Sequence, residues 1–180
     1  TQCGELPIFL AGDANYHRAV LHEASDEGRI AGQNAAAYPN VTAHVRRTPL
    51  TIVFTEPQMA IAGLNYAALD QDSAEIAEFS YENQGRARVI NRATGLVRLY
   101  ADRRSCTLIG AEMFGPQIEH LAHLLAWSIE QRLSVQRLLQ MPFYHPVLEE
   151  GLRTGLRKLA KQLQVDGDCR AEDRAESSGM

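Results

Sequence analysis

Two short stretches of this 180-residue chain carry side chains whose type and spacing could do chemistry. The first is Phe143-Tyr144-His145-Pro146-Val147-Leu148-Glu149-Glu150. Pro146 pushes the backbone of His145 into an extended conformation and opens a helix, so the imidazole projects from a helix entrance. An imidazole there can act as a general acid or base near neutrality. Stepping about 100° per residue from Leu148, the residues Leu148, Leu152, Leu156, Leu159 and Leu163 fall within roughly 80°, while Glu150 lies near 200°. Glu150 therefore faces away from its own core and is free to orient the imidazole by a hydrogen bond. The competing reading pairs Glu150 with Arg153 or Lys158 on a solvated face, worth roughly a few tenths of a kcal/mol. Local pattern alone favours that plainer pairing.

The second stretch is Ala11-Gly12-Asp13-Ala14. A carboxylate at the end of a buried strand and the entrance of a helix can accept hydrogen bonds from a ligand's hydroxyls, and backbone amides beside it can meet a polar or anionic group. Asp13 as a plain cap of the following helix is the commoner outcome of such a pattern. A third group, His120 and His123 with Glu119, has the three-residue spacing that can bring two imidazoles to one metal, but no third ligand is suitably spaced, so no metal site is expected.

The elements that must position these residues follow from periodicity. Residues 7–12 read as a short buried strand and residues 19–37 as a helix, with Val20, Leu21, Ala24, Ile30, Ala31 and Ala35 as its apolar positions and Gly28 and Gly32 interrupting it. Thr51-Ile52-Val53-Phe54 is a β-branched strand stopped at Glu56-Pro57, and residues 64–69 could form a short helix. Strands are expected over 75–81, 95–101 and 107–113, the last two joined by the polar turn Asp102-Arg103-Arg104-Ser105 as an antiparallel hairpin. Gly115-Pro116 opens a helix with the core stripe Ile118, Leu121, Ala122, Leu125 and Ile129. A short helix over 135–139 and the leucine helix after Pro146 complete the pattern. The sum is an α+β fold, an antiparallel sheet with helices on one face, preceded by a strand–helix remnant of another domain. The divisions expected are 1–45, 46–165 and a disordered acidic tail at 166–180.

Composition narrows the function. Eighteen basic and 22 acidic residues leave a net charge of −4, which provides no electrostatic footprint for nucleic acid. No apolar run approaches the roughly 20 residues of a membrane span. Cys3, Cys106 and Cys169 are far apart in sequence and suggest neither a disulfide framework nor a metal cluster, which fits a reducing cytoplasm. The chain opens Thr1-Gln2-Cys3 rather than with Met, and the expectation is that something upstream has been removed. Leu124 and Trp127 lie well off the core stripe of their helix, and Leu138-Leu139-Gln140-Met141-Pro142-Phe143 is too apolar for an exposed loop. Both features imply a covering surface, with a dimer partner the obvious candidate.

Pro7-Ile8-Phe9-Leu10-Ala11-Gly12-Asp13-Ala14, followed by Leu21-His22-Glu23-Ala24-Ser25-Asp26-Glu27-Gly28, resembles the second FAD-binding stretch of the pyridine nucleotide-disulfide oxidoreductases. Thr51-Ile52-Val53-Phe54-Thr55-Glu56-Pro57 with Ala60-Ile61-Ala62-Gly63-Leu64 resembles the opening of that family's dimerisation domain. His145-Pro146 followed by Glu150 resembles its His-Pro-Thr-x-x-Glu motif, with Val147 in place of the usual Thr. Among family members the dihydrolipoyl dehydrogenases are most similar, through Leu21-His22-x-Ala24 and Phe54-Thr55-Glu56-Pro57. The resemblance implies that FAD contacts Gly12, Asp13 and Ala14, with Asp13 on the ribityl chain, and lies along the backbone of Ala19, Val20, Leu21 and His22. It implies His145 as the thiol base and Glu150 as its orienting partner, both serving the other subunit of a homodimer, with NAD as electron acceptor and dihydrolipoamide as substrate. It further implies a cis His145-Pro146 bond. The chain has no Gly-x-Gly-x-x-Gly and no Cys-x4-Cys, so those parts would lie upstream and the chain by itself would be inactive. A free-standing, homodimeric α+β interaction module without catalysis remains the alternative.

Overall fold

β-branched, aromatic and small residues alternate through residues 50–115, and the computed structural model folds that stretch into five strands: β1 (Leu50–Val53), β2 (Gln58–Gly63), β3 (Ala74–Ser80), β4 (Leu96–Asp102) and β5 (Leu108–Gly115). All neighbours are antiparallel, in the order β1-β2-β5-β4-β3. Residues 1–16 and 18–165 are described by the structure, in two units, 1–46 and 47 onward.

Period-two alternation decides which face of the sheet is covered. Ala60, Ala62, Ala77, Phe79, Val97, Leu99, Ala111 and Met113 are buried on one face. The other face carries the exposed Met59, Leu96 and Phe114 together with Glu78, Arg98 and Glu112. Two helices cover the buried face: α3 (Ile118–Glu130) against β1, β2 and β5, and α5 (Glu150–Val165) against β3 and β4. The short α4 (Val135–Leu139) packs on α5. Ile118, Leu121, Ala122 and Leu125 of α3, and Leu152, Leu156, Leu159 and Leu163 of α5, join the strand residues in one core. The α+β architecture expected from periodicity is therefore the one observed, including the 102–105 hairpin turn, where Asp102 accepts from the amide and hydroxyl of Ser105 at 2.6 and 2.7 Å. At the β3 edge, Lys158 and Gln162 of α5 donate to the carbonyls of Glu78 and Ile76 at 2.8 and 3.1 Å, occupying acceptors that an open edge would leave for another strand.

Other expectations change. The strand anticipated over 7–12 is only a single antiparallel bridge between Gln2 and Phe9, because no neighbouring strand pairs with it among the described residues. Ile8 and Leu10 are accordingly 51% and 42% exposed. Residues 64–69 form one 3₁₀ turn, Tyr66–Ala68, and both β2 and the short α2 (Gly85–Val89) were not foreseen from periodicity. Cys106 is disulfide-bonded, while Cys3 is free. Wide separation along a chain sets no limit on approach in the fold, so the expectation of no disulfide is corrected. The tail expected at 166–180 lies outside the described residues. Among those described, no helix is long and apolar enough to cross a membrane.

The first unit is built on α1 (Leu21–Ala37). Its buried face is not the apolar stripe anticipated, because Leu21 is 87% exposed. Glu23, Glu27, Ala31 and Asn34 are the buried residues instead, at the i, i+4, i+8, i+11 spacing of one helical face. A helix that buries a polar stripe must satisfy it, and here it does so with loop backbone and arginines.

Candidate functional site

In the second unit, His145 and Glu150 meet just before and at the first residue of α5. His145 Nδ1 lies 2.8 Å from Glu150 Oε1. A carboxylate can only accept, so Nδ1 carries the hydrogen and the neutral ring presents a bare Nε2. The His145 side chain is 80% exposed, leaving that nitrogen open. Glu150 Oε2 accepts the amide of Val147 at 3.2 Å, so both carboxylate oxygens hold the turn that carries the imidazole. The hydrogen bond from His145 holds the Glu150 carboxyl below its ordinary value against the opposing effect of desolvation, with the Val147 amide and the positive Arg153 adding to it. The plainer pairing of Glu150 with Arg153 or Lys158 is not formed: Arg153 lies over the Phe143 ring and Lys158 on the Glu78 carbonyl. The His145-Pro146 peptide is cis, as the family resemblance implied.

Three residues not anticipated from sequence hold this turn in place. Gln84 is buried, donates through Nε2 to the Val147 carbonyl at 2.6 Å and accepts the Ala87 amide through Oε1 at 2.6 Å. Gly151 and Gly155, one helical turn apart, let α5 press onto the sheet. A Cβ at Gly151 would fall 2.4 Å from Phe79 Cε2, and one at Gly155 would fall 2.9 Å from Leu99 Cδ1. The i, i+4 glycine spacing was visible in the sequence, but only the closeness of the sheet gives it meaning.

Beside the turn runs an apolar groove of about 380 Å³, lined by Leu124, Leu138, Met141, Phe143, Tyr144 and Leu152 among others. Leu124 and Trp127 are 45% and 65% exposed on α3, and Tyr144 is 79% exposed next to His145. His123 Nδ1 contacts the Glu119 carbonyl at 2.6 Å, and no group of three or more metal-ligating side chains occurs among the described residues.

In the first unit, Gly12, Asp13 and Ala14 lie in a 3₁₀ turn, Gly12–Asn15. Asp13 does not cap α1: the N-cap is Val20, which makes no side-chain capping bond. Asp13, Ala14, Ala19, Leu21 and His22 are exposed, and the Asp13 carboxylate has no partner among the described residues. Gly12 has φ +68°, a conformation that favours glycine.

Comparison with known proteins decides the family. The profile "Pyridine nucleotide-disulphide oxidoreductase, dimerisation domain" matches residues 49–155, more than half of the chain. The chain belongs to the pyridine nucleotide-disulphide oxidoreductase family. It is 31% identical over 147 residues to dihydrolipoyl dehydrogenase 3 of Haloarcula marismortui, covering 81% of this chain and 30% of that protein. It is 30% identical over 148 residues to the dihydrolipoyl dehydrogenase of Haloferax volcanii, covering 81% and 31%. In fold it is similar to LpdA of Mycobacterium tuberculosis, with TM-score 0.71, 24% identity and coverage of 83% and 33%. It is also similar to the flavoprotein disulfide reductase RclA of Escherichia coli, with TM-score 0.70, 18% identity and coverage of 82% and 34%. The chain thus spans about a third of the length of the relatives it matches. The matched stretch runs from the start of the second unit's sheet into α5 and includes both His145 and Glu150.

Proposed function

We propose that this chain forms the C-terminal part of a flavin-dependent, nicotinamide-linked disulfide oxidoreductase of the dihydrolipoyl dehydrogenase type, working as a homodimer on a dithiol such as dihydrolipoamide. The observation that carries this reading is the His145–Glu150 pair, 2.8 Å apart with Nε2 open to solvent. Nε2 accepts the proton of a substrate thiol and leaves a thiolate, which is the nucleophile in thiol–disulfide exchange. Glu150 keeps the ring in the tautomer that can do this and stabilises the imidazolium once it forms.

A bound FAD would supply the two-electron chemistry that links dithiol to nicotinamide. The first unit has features that suit it: an exposed carboxylate on Asp13 with no partner among the described residues, a glycine turn that brings backbone close, and an entrance to α1 where Val20 makes no side-chain cap bond, under an exposed Leu21. Gly12, Asp13 and Ala14 would hold the ribityl portion, and the backbone of Ala19, Val20, Leu21 and His22 would lie along the ring. NAD would be bound by parts beyond this chain. The apolar groove and Trp127 face give a second subunit a surface next to His145, so that each subunit completes the other's site.

The test is a His145→Gln substitution in the whole enzyme. Dithiol-dependent NAD reduction should fall by roughly 10²–10⁴-fold, the contribution of a positioned base, while flavin content and dimer mass stay unchanged. A folded, flavin-loaded variant with wild-type turnover would overturn the assignment and favour the non-catalytic interaction module.

A further inference from the structure

The buried polar face of α1 has a job that its sequence pattern did not announce. Glu27 is 3% exposed and makes three connections. Its Oε2 accepts the Gly12 amide at 2.8 Å, and its Oε1 accepts the Asn15 side-chain amide at 3.2 Å. Arg46 Nη2 forms an ion pair with the same Oε1. One carboxylate therefore grips both ends of the four-residue turn that displays Asp13 and ties them to the segment leaving α1. Neighbouring groups repeat the arrangement. Glu23, one helical turn earlier, pairs with Arg18 at 3.1 Å and Arg46 at 3.5 Å. Asn34, two turns later, exchanges hydrogen bonds with the Thr42 backbone at 2.9 and 3.0 Å. Burial opposes ionisation of Glu27, but the bonds from Arg46, the Gly12 amide and Asn15 together hold its carboxyl below the ordinary value.

We propose that Glu27 is the positioning residue of the flavin site, fixing the Gly12–Asn15 turn so that the Asp13 carboxylate is presented in one orientation. The proposal rests on the reading of Asp13 as a flavin contact. Glu27 itself is enclosed and cannot touch a ligand, whereas Asp13 is exposed and its side chain is held by none of the described residues. A turn of four residues with a left-handed glycine has little intrinsic stability, so its order must come from an outside bond. The buried acceptor is well suited, since a donor left without it would bear a desolvation cost. Apolar packing cannot substitute, because Ile8 and Leu10, just before the turn, are about half exposed.

The experiment compares wild-type whole enzyme with Glu27→Gln, Glu27→Asp and Asp13→Ala variants. Two quantities are read: the flavin dissociation constant of the deflavinated protein, and hydrogen exchange of the peptide covering residues 10–16. Glu27→Gln keeps the shape but removes the charge and replaces one acceptor oxygen with an amide NH2 donor; Glu27→Asp keeps the charge and withdraws it by one methylene. Glu27→Gln should weaken flavin binding about tenfold, as expected for loss of one charge-assisted bond, and speed exchange of the 10–16 peptide by a similar factor. Exchange in α5 should be unchanged. A folded Glu27→Gln protein in which either quantity stays at its wild-type value overturns the proposal. If that variant does not fold, Glu27→Asp is judged by the same criterion. Asp13→Ala separates the two failures. If it weakens flavin binding while the Glu27 variants do not, only the positioning role falls. If it leaves flavin binding unchanged, the flavin reading of the turn falls as well.

Discussion

Gly151 lies against the ring of Phe79 so closely that a Cβ at that position would fall 2.4 Å from Cε2 and 2.8 Å from Cδ2. Phe79 is 3% exposed in the middle of the core and has nowhere to retreat. Gly151→Ala should therefore lower stability by about 1–2 kcal/mol, the cost of overpacking less the helix propensity that alanine adds. Because Gly151 follows Glu150, the displaced helix should also loosen the hold on His145. Gly28→Ala is the internal comparison: its Cβ meets nothing within 4 Å in α1, so it should be neutral or stabilising. Thermal unfolding of the two variants reads the difference, and equal melting temperatures would contradict this packing account.

Glu150 titrates below its ordinary value because it accepts from His145 and Val147. A depressed carboxylate contributes stability that is present above its unfolded-state pKa and is lost as pH falls through the lower folded-state value. The His145 turn should therefore stay intact through mild acid and loosen only below the ordinary carboxylate range. Carboxyl ¹³C shifts of Glu150 against pH would show it, and His145→Gln should move the midpoint upward. A midpoint unaffected by that substitution would mean that the His145–Glu150 bond is not populated in solution.

Much of the second unit was legible because its periodicities are strong. The alternation through Val97, Leu99 and Ala101 and the leucine spacing of α5 report burial directly, and burial is what they encode. The His145–Glu150 contact was legible as a possibility only. Helical phase placed Glu150 off the core, but whether it turned to His145 or Arg153 depended on its bond to the Val147 amide and on the placement of Arg153 over Phe143. The first unit was read less well. Its α1 hides carboxylates instead of leucine, and no scale of apolar periodicity detects a face whose partners are a turn amide and an arginine distant in sequence. Residues 7–12 have the composition of a strand, yet a strand is defined by pairing, and no neighbouring strand pairs with it among the described residues.

Gln84 is a further test of what holds the His145 turn. It is buried and bridges the Ala87 amide to the Val147 carbonyl. Gln84→Ala removes a donor and an acceptor from groups that have little water to replace them, so it should cost about 1–3 kcal/mol. Under the proposed function it should also lower turnover while leaving flavin content unchanged, because the first unit is not involved. A variant that loses stability but keeps full turnover would show that Gln84 supports the fold and does not govern the imidazole.

Association is the remaining expectation. Trp127 is 65% exposed and stacks edge-on with His123, while Leu124 is 45% exposed at the rim of the apolar groove beside Tyr144 and His145. So much uncovered aromatic and aliphatic surface on one helix side is what an isologous interface would bury, and obligate homodimer interfaces often exceed roughly 2,000 Å². At micromolar concentration the chain should sediment at twice its 20.0 kDa mass. Trp127→Glu places a charge at the centre of the face and should yield monomer, since an unpaired buried carboxylate costs several times what a rim contact contributes. Conservative Trp127→Phe should keep the dimer. If Trp127→Glu leaves the mass unchanged, the interface lies elsewhere on the second unit. If the wild-type chain is already a monomer, this face does not associate autonomously, and the dimer needs parts of the enzyme beyond this chain.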